Sequence, residues 1–239
     1  MKTSPRFPLA LAAIALSQLT PAARADEAGD EQPLRIIQTT EAKFPTEATA
    51  RGIRTGEVHA VLLVDAEGRL NDCLVTAFTQ PEFAVELLNA VRNWEYEPAQ
   101  QNGQPASQRI QIIFQFDQRG ALVSMLPAMA IAARMNSLVG EKLQPLVCLA
   151  SELDRVPAAL EKVSPKHPGK TPGAGMRNGS AQIDFYIDAE GRPRMPVVMK
   201  ATHAAYAVAA AEALMQWRFE PPTRQGRPVN VRMVQEFLF

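Results

Sequence analysis

No stretch of the chain holds the run of roughly 20 apolar residues that a membrane-spanning helix needs; the N-terminal run Leu9-Ala-Leu-Ala-Ala-Ile-Ala-Leu16 stops far short of it. Net charge is missing too. The 25 Lys and Arg balance 25 Asp and Glu, so charge supplies no global attraction toward nucleic acid or anionic lipid. Gly (13) and Pro (19) are too few for a disordered or fibrous chain. What remains is a packed globular protein, with 239 residues enough for one large domain or two small ones. Two cysteines, Cys73 and Cys148, allow at most one intrachain bridge, and only in an exported chain. Cys73 stands at strand spacing beside Leu70 and Val75, where a free thiol behaves as a small hydrophobe. Bridged and free states both stay open, because sequence separation does not decide whether the Cα atoms come within roughly 7 Å.

The first 25 residues differ from the rest. Lys2 and Arg6 precede the short apolar run, and Ala23-Arg24-Ala25 follows before the acidic Asp26-Glu27. That order is that of a secretory signal peptide, with an uncleaved anchor as the alternative reading. The expectation is an exported, periplasmic chain that starts near Asp26 and has no membrane span after cleavage.

The turn Val64-Asp-Ala-Glu-Gly-Arg-Leu70 returns as Ile187-Asp-Ala-Glu-Gly-Arg-Pro193, 123 positions on. At that offset 22 of the 73 positions in 44–116 match 167–239, without a gap, against about five by chance. Pro45/Pro168, Gly56/Gly179, Trp94/Trp217, Glu97-Pro98/Glu220-Pro221 and Phe114/Phe237 are among the matches. Two copies of one unit follow, with boundaries 1–25 signal peptide, 26–33 acidic segment, 34–116 first domain, 117–156 connector and 157–239 second domain.

Each copy reads through the other. Val58, Ala60, Leu62 and Val64 alternate as a half-buried strand does, and so do Ala181, Ile183, Phe185 and Ile187. The opposite parity is His59, Val61 and Leu63 in the first copy but Gln182, Asp184 and Tyr186 in the second, so the first copy should have its second face partly covered. A returning strand follows, and Pro193 and Pro196 demote its second version to an edge or a bulged strand. Phe83, Leu87, Val91 and Trp94 share a helical face, as do Tyr206, Ala210, Leu214 and Trp217. Pro98 and Pro221 cannot continue those helices. A last strand alternates through Ile110, Ile112, Phe114 and Phe116, and Gln235 on the same parity of the second copy suggests a bulge or a shallower core. In the connector, Pro127 and Pro145 sit where a first helical turn tolerates them, and Met129, Ala132, Met135 and Leu138, then Leu146, Leu149 and Leu153, form helical stripes.

A pre-strand Pro, a strand, the D-x-x-G turn, a second strand, a helix closing on W-x-[YF]-x-P and an apolar last strand together resemble the TonB C-terminal domain, over residues 34–116 and 157–239. The pairing of D-x-x-G with W-x-[YF]-x-P about 25 residues later is the most specific part. The resemblance implies an α+β fold: two tandem TonB C-terminal-like domains, each a small antiparallel sheet with a helix packed on one face, joined by a helical connector. It also implies capture of an outer-membrane receptor or other envelope protein by adding the partner's extended segment to an exposed last strand, whose N–H and C=O groups are unpaired. Carried over by position, the edge candidates are Arg109, Gln111, Ile113 and Gln115 in the first copy and Arg232, Val234, Glu236 and Leu238 in the second. TonB transducers also have a membrane helix and a long Pro-rich spacer, which this chain does not show, so force transmission from the inner membrane is not expected of it.

Chemistry is scarce. The three histidines, His59, His167 and His203, fall opposite Gln182, Phe44 and Gln80, so neither copy repeats the other's. No cofactor, metal or catalytic set is expected. Asp65 and Asp188, with Glu67 and Glu190, are carboxylate pairs of the kind acid-base catalysis uses; the stronger reading is a turn in which Asp bonds its own backbone and Gly68 or Gly191 takes φ > 0. Trp94 and Trp217 either stack on a ligand or plug the helix onto the sheet; standing last on the apolar face, they favour the plug. Charge splits between the copies, −3 over 34–116 and +4 over 157–239. That suggests mutual docking, or an acidic partner for Lys162, Lys166, Lys170, Arg192, Arg194, Arg224 and Arg227. Two readings follow: a binding module, or a structural envelope protein whose repeats satisfy each other. A homo-oligomer is left open.

Overall fold

The computed structural model describes residues 31–125, 143–167 and 178–239; the expected signal peptide, Lys170 and the 129–138 stripe lie outside them. The first half runs β1 (Arg35–Gln38), α1 (Thr46–Ala50), β2 (Thr55–Val64), β3 (Leu70–Phe78), α2 (Pro81–Val91), β4 (Glu95–Glu97), a small hairpin β5 (Ala99–Gln101) and β6 (Gln104–Ala106), β7 (Gln108–Asp117) and β8 (Gly120–Met125). Two short strands follow, β9 (Gln144–Pro145) and β10 (Val147–Cys148), then a 3-10 turn at Ala150–Glu152. The second half runs β11 (Ala159–Glu161), β12 (Ser180–Ile187), β13 (Pro193–Ala201), α3 (Ala204–Leu214), β14 (Arg218–Phe219), β15 (Thr223–Arg224), β16 (Arg227–Pro228) and β17 (Asn230–Leu238).

Two sheets organise these elements, in strand orders β8-β7-β2-β3-β9 and β10-β17-β12-β13. On one face of the first, Val58, Ala60, Leu62 and Val64 pack with Phe83, Leu87, Val91 and Trp94. On one face of the second, Ala181, Ile183, Phe185 and Ile187 pack with Tyr206, Ala210, Leu214 and Trp217. The fold is α+β, with one helix on each small sheet. Even the irregularities keep the 123-residue offset. Ile36 pairs with Tyr96 and Ala159 with Phe219, with a register shift next to each. The indole N–H of Trp94 donates to the Thr40 carbonyl at 3.2 Å, and that of Trp217 to the Val163 carbonyl at 2.9 Å. Both indoles thereby pin a helix end to the segment just after β1 or β11 while their rings fill the core.

Two sequence-based expectations need correction, and one pair of alternatives is decided. The described part of the connector is not α-helical. Pro145 pairs with Ala77, the Leu146 N–H donates to Thr76 and the Leu146 carbonyl accepts from Asn230, while Leu149 is exposed. A stripe about two turns long gains less than two sheet edges that need partners. Secondly, the first domain does not stop at residue 116, because β7 turns through Gln118-Arg119 into β8. Thirdly, β17 has no bulge at Gln235: its pairing with β12 is unbroken from Val231 to Leu238. Gln235 is half-buried and its carboxamide donates to the Glu236 carbonyl at 2.7 Å, so the core is simply shallower there. Pro193 and Pro196 fall where expected, since β13 is an edge strand with register shifts against β12.

The second faces of the sheets meet. Val61, Leu63 and Leu74 pack against Tyr186 and Met195. Asp184, 2 % exposed, accepts from Arg232 Nε at 2.9 Å and from Arg109 of the first half. Arg194 Nε donates to Asp72 at 2.8 Å, and Arg109 lies 5.1 Å over the Tyr186 ring. The charge split explains Arg194–Asp72 only; Arg109–Asp184 runs against it.

Candidate functional site

An exposed strand edge requires a strand with one neighbour, so the last strand of each half decides where such an edge exists. β7 has two. Along Thr55–Val64 it pairs with β2, and from Ile112 to Asp117 it also pairs with β8. Ile113 and Gln115 therefore offer no free backbone, contrary to the expectation for the first edge. Arg109 is committed to the inter-sheet seam, where it donates to Asp184 and to the Met195 carbonyl. Gln111 is half-buried opposite Val61.

The signal for β8 was in the sequence. Asp117-Gln-Arg-Gly120 is a further D-x-x-G, and the apolar Ala-Leu-Val that follows reads as a strand. The Asp117 carboxylate accepts from the Arg119 N–H at 2.8 Å, which closes the hairpin. The 123-residue offset carries residues 117–125 past residue 239, so the comparison of the two copies did not point to it.

β17 differs. Its N-terminal rungs, Asn230 and Val231, carry the parallel strand β10. From Arg232 to Leu238 it pairs with β12 on one side, and among the described residues no strand lies on the other. The exposed side chains there alternate: Arg232, Val234, Glu236 and Leu238. Arg232 is tied to Asp184, whereas Val234 is 48 % and Leu238 77 % exposed. Seven residues of ladder backbone thus lie beside two exposed aliphatic side chains, which is the surface an extended peptide uses in strand addition.

The remaining candidates are structural in geometry. The Asp65 carboxylate accepts from the N–H groups of Glu67 and Arg69 at 3.0 and 2.8 Å, and Asp188 from Glu190 and Arg192 at 3.1 and 2.8 Å. The Arg69 backbone N–H foremost holds the Asp65 carboxyl below its ordinary value. Gly68 and Gly191 take φ of 77° and 80°, and each packs against the W-x-[YF]-x-P strand: the Phe219 N–H donates to the Gly191 carbonyl at 2.9 Å. Pro98 and Pro221 close those strands just past β4 and β14. Both cysteines are free. Burial first, and Asp72 second, push the Cys73 thiol up to about 12, so it is no nucleophile. His203 caps α3 by accepting the Ala205 N–H at 3.2 Å, the position that Gln80 holds before α2. His59 is buried, its Nε2 2.6 Å from Glu57.

A broad cleft of about 1060 Å³, lined by Arg54, Thr79, Gln80, Gln115, Arg119 and Leu122, opens beside the β7–β8 hairpin. Its carboxylates are engaged, Asp117 with Arg119 and Glu57 with the buried His59 and with Gln115. No helix of the described residues is long and apolar enough to cross a membrane.

No curated protein matches the chain. The family described as Gram-negative bacterial TonB protein C-terminal matches residues 40–117 and 174–239, two segments that together exceed half of the chain and contain both helix-on-sheet cores. The chain belongs to the TonB C-terminal family.

Proposed function

We infer that the protein is a periplasmic, non-enzymatic protein-binding module of two tandem TonB C-terminal-like units, and that β17 captures an extended segment of an outer-membrane receptor or another envelope protein. The observation that carries this reading is the edge from Arg232 to Leu238, which no strand covers among the described residues, in a family whose domains act through protein contacts. Main-chain hydrogen bonds would supply affinity, and the exposed Val234 and Leu238 would contribute apolar area. The first unit, with its own strand on β7, acts as scaffold.

Proline separates the edge from the fold. In an antiparallel ladder, neighbouring residues point their N–H groups to opposite sides, so of Val234→Pro and Gln235→Pro one removes a bond to β12 and the other removes an edge donor. The variant that keeps the wild-type circular dichroism and melting temperature is the informative one. It should lose most capture of envelope protein in pull-downs, and undiminished capture would refute strand addition at β17. The second reading, a structural protein whose edges are satisfied internally, draws support from β8 and β10, which fill parts of both sheets. Amide exchange tells them apart: fast exchange at alternate residues of 232–238 fits a binding edge, and protection throughout fits the structural reading.

A further inference from the structure

Among the described residues, the two halves present the same ladder once filled and once open. Along eight rungs β7 faces β2 as β17 faces β12, from Glu57↔Gln115 and Ser180↔Leu238 to Val64↔Gln108 and Ile187↔Val231, always at the 123-residue offset. Equal register implies equal alternation of N–H and C=O, so the groups that β7 turns toward β8 have counterparts at the open side of β17. β8 is thus an internal template for whatever docks there. It runs antiparallel, with Gln115↔Leu122, Phe114↔Val123, Ile113↔Ser124 and Ile112↔Met125. Transferred by the offset, those rungs fall on Leu238, Phe237, Glu236 and Gln235.

The environments at these rungs differ in a way that names the ligand. Val123 packs against the first core, and its counterpart would lie beside the buried Phe237 at the rim of the second. Ser124 is paired in the ladder with the buried Ile113, but the same rung on β17 presents Glu236, which is exposed and has no ion-pair partner among the described residues. On the same face Glu236 stands between Val234 and Leu238. A strand placed there sets one residue against a bare carboxylate and its i−2 and i+2 neighbours against aliphatic side chains. Opposite charges across a ladder are favourable, as are paired apolar side chains.

We propose that β17 takes its partner segment antiparallel, in the register that β8 keeps on β7, and selects a segment with Lys or Arg opposite Glu236 and apolar residues opposite Leu238, Phe237 and Val234. The proposal rests on the strand-addition reading above and adds direction, register and side-chain chemistry to it. β10 on Asn230 and Val231 limits the added strand to the rungs 232–238.

The probe is a fluorescein-labelled peptide with the sequence of residues 119–126, titrated by anisotropy against the full-length protein, together with its S124K and S124E versions. S124K should bind about threefold more tightly than the parent and S124E more weakly, the range expected for one cross-strand pair. With the Glu236→Lys protein the order of the two charged peptides should reverse. If the peptides bind but keep one order on both proteins, the register and direction are wrong while strand addition stands; a parallel strand would carry the lysine away from Glu236 and give that result. If none binds up to about 1 mM while the protein keeps its native circular dichroism, the proposal falls together with the open-edge reading.

Discussion

A methyl group at position 191 would sit 2.1 Å from the Phe219 carbonyl oxygen, and one at position 68 would sit 2.6 Å from that of Tyr96. The D-x-x-G turn and the W-x-[YF]-x-P end therefore recur together because they touch: the glycine lets the turn lie directly on the strand that follows the helix. Gly103 also has positive φ, 70°, but a Cβ there meets nothing within 4 Å. This separates conformational strain from collision. Gly103→Ala should cost about 1 kcal/mol, from the left-handed backbone alone. Gly68→Ala and Gly191→Ala should cost roughly 2–4 kcal/mol, because main chain must also move. Urea denaturation midpoints for the three variants test the order, and equal costs would dismiss the contact. At this scale the sequence was readable for turns, caps and apolar parity, all of which are local. It could not show that Asp184, on a face for which a cover was expected in the first copy only, would be buried between two arginines, since Arg109 stands 75 residues away.

At the scale of elements, both helices and all six long strands of the repeat were legible, because a 3.6 or 2.0 period with an internal duplicate leaves little freedom. The strands that were missed fall in two groups: β1, β4, β5, β6, β11, β14, β15 and β16 are two to four residues long, too short to show a period, and β8, β9 and β10 have no counterpart among the described residues at the 123-residue offset. Their identity is decided by the edges they fill and not by their own pattern, which is why Leu146, Leu149 and Leu153 read as a helix and fold otherwise. The same reasoning gives β8 a protective role, since an uncovered long apolar edge is a template for association. Pro in place of Leu122 or of Val123 should break the hairpin ladder at one of the two positions and cost about 1–3 kcal/mol. That variant should elute partly as dimer or larger species in size-exclusion chromatography with light scattering. A strictly monomeric β8 variant with a confirmed hairpin defect would show that β7 needs no cover.

At the scale of the whole molecule, two units of about 80 residues, each marginal alone because it buries only about 60–65 % of its unfolded surface, share a seam of five apolar side chains and two ion-pair groups. Met195 takes φ of 52° within it, a conformation costing roughly 1–2 kcal/mol, and in return buries its side chain in the seam and offers its carbonyl to Arg109. Asp184 is the pivot. Burial pushes its pKa up, but hydrogen bonds from Arg232 and the charge and hydrogen bond of Arg109 outweigh that and hold the carboxyl below its ordinary value. A carboxyl depressed in the folded state contributes stability that is complete above the unfolded value, about 3.9, and is lost as pH falls through the folded value. Asp184→Asn keeps the shape, removes the charge and leaves two arginines facing each other, at a cost of roughly 3–5 kcal/mol near neutrality. Its deficit relative to wild type should be full above about pH 5 and shrink as the pH drops below about 4, where the unfolded wild-type chain protonates this group first and the folded protein follows at lower pH. Calorimetry at pH 7 should show one transition for the wild type and two for the variant, because a weakened seam lets each half melt by itself. A deficit that stays constant from about pH 7 to pH 3, or a variant that still melts in one step, would move the coupling between the halves from Asp184 to the apolar contacts of Leu63, Tyr186 and Met195.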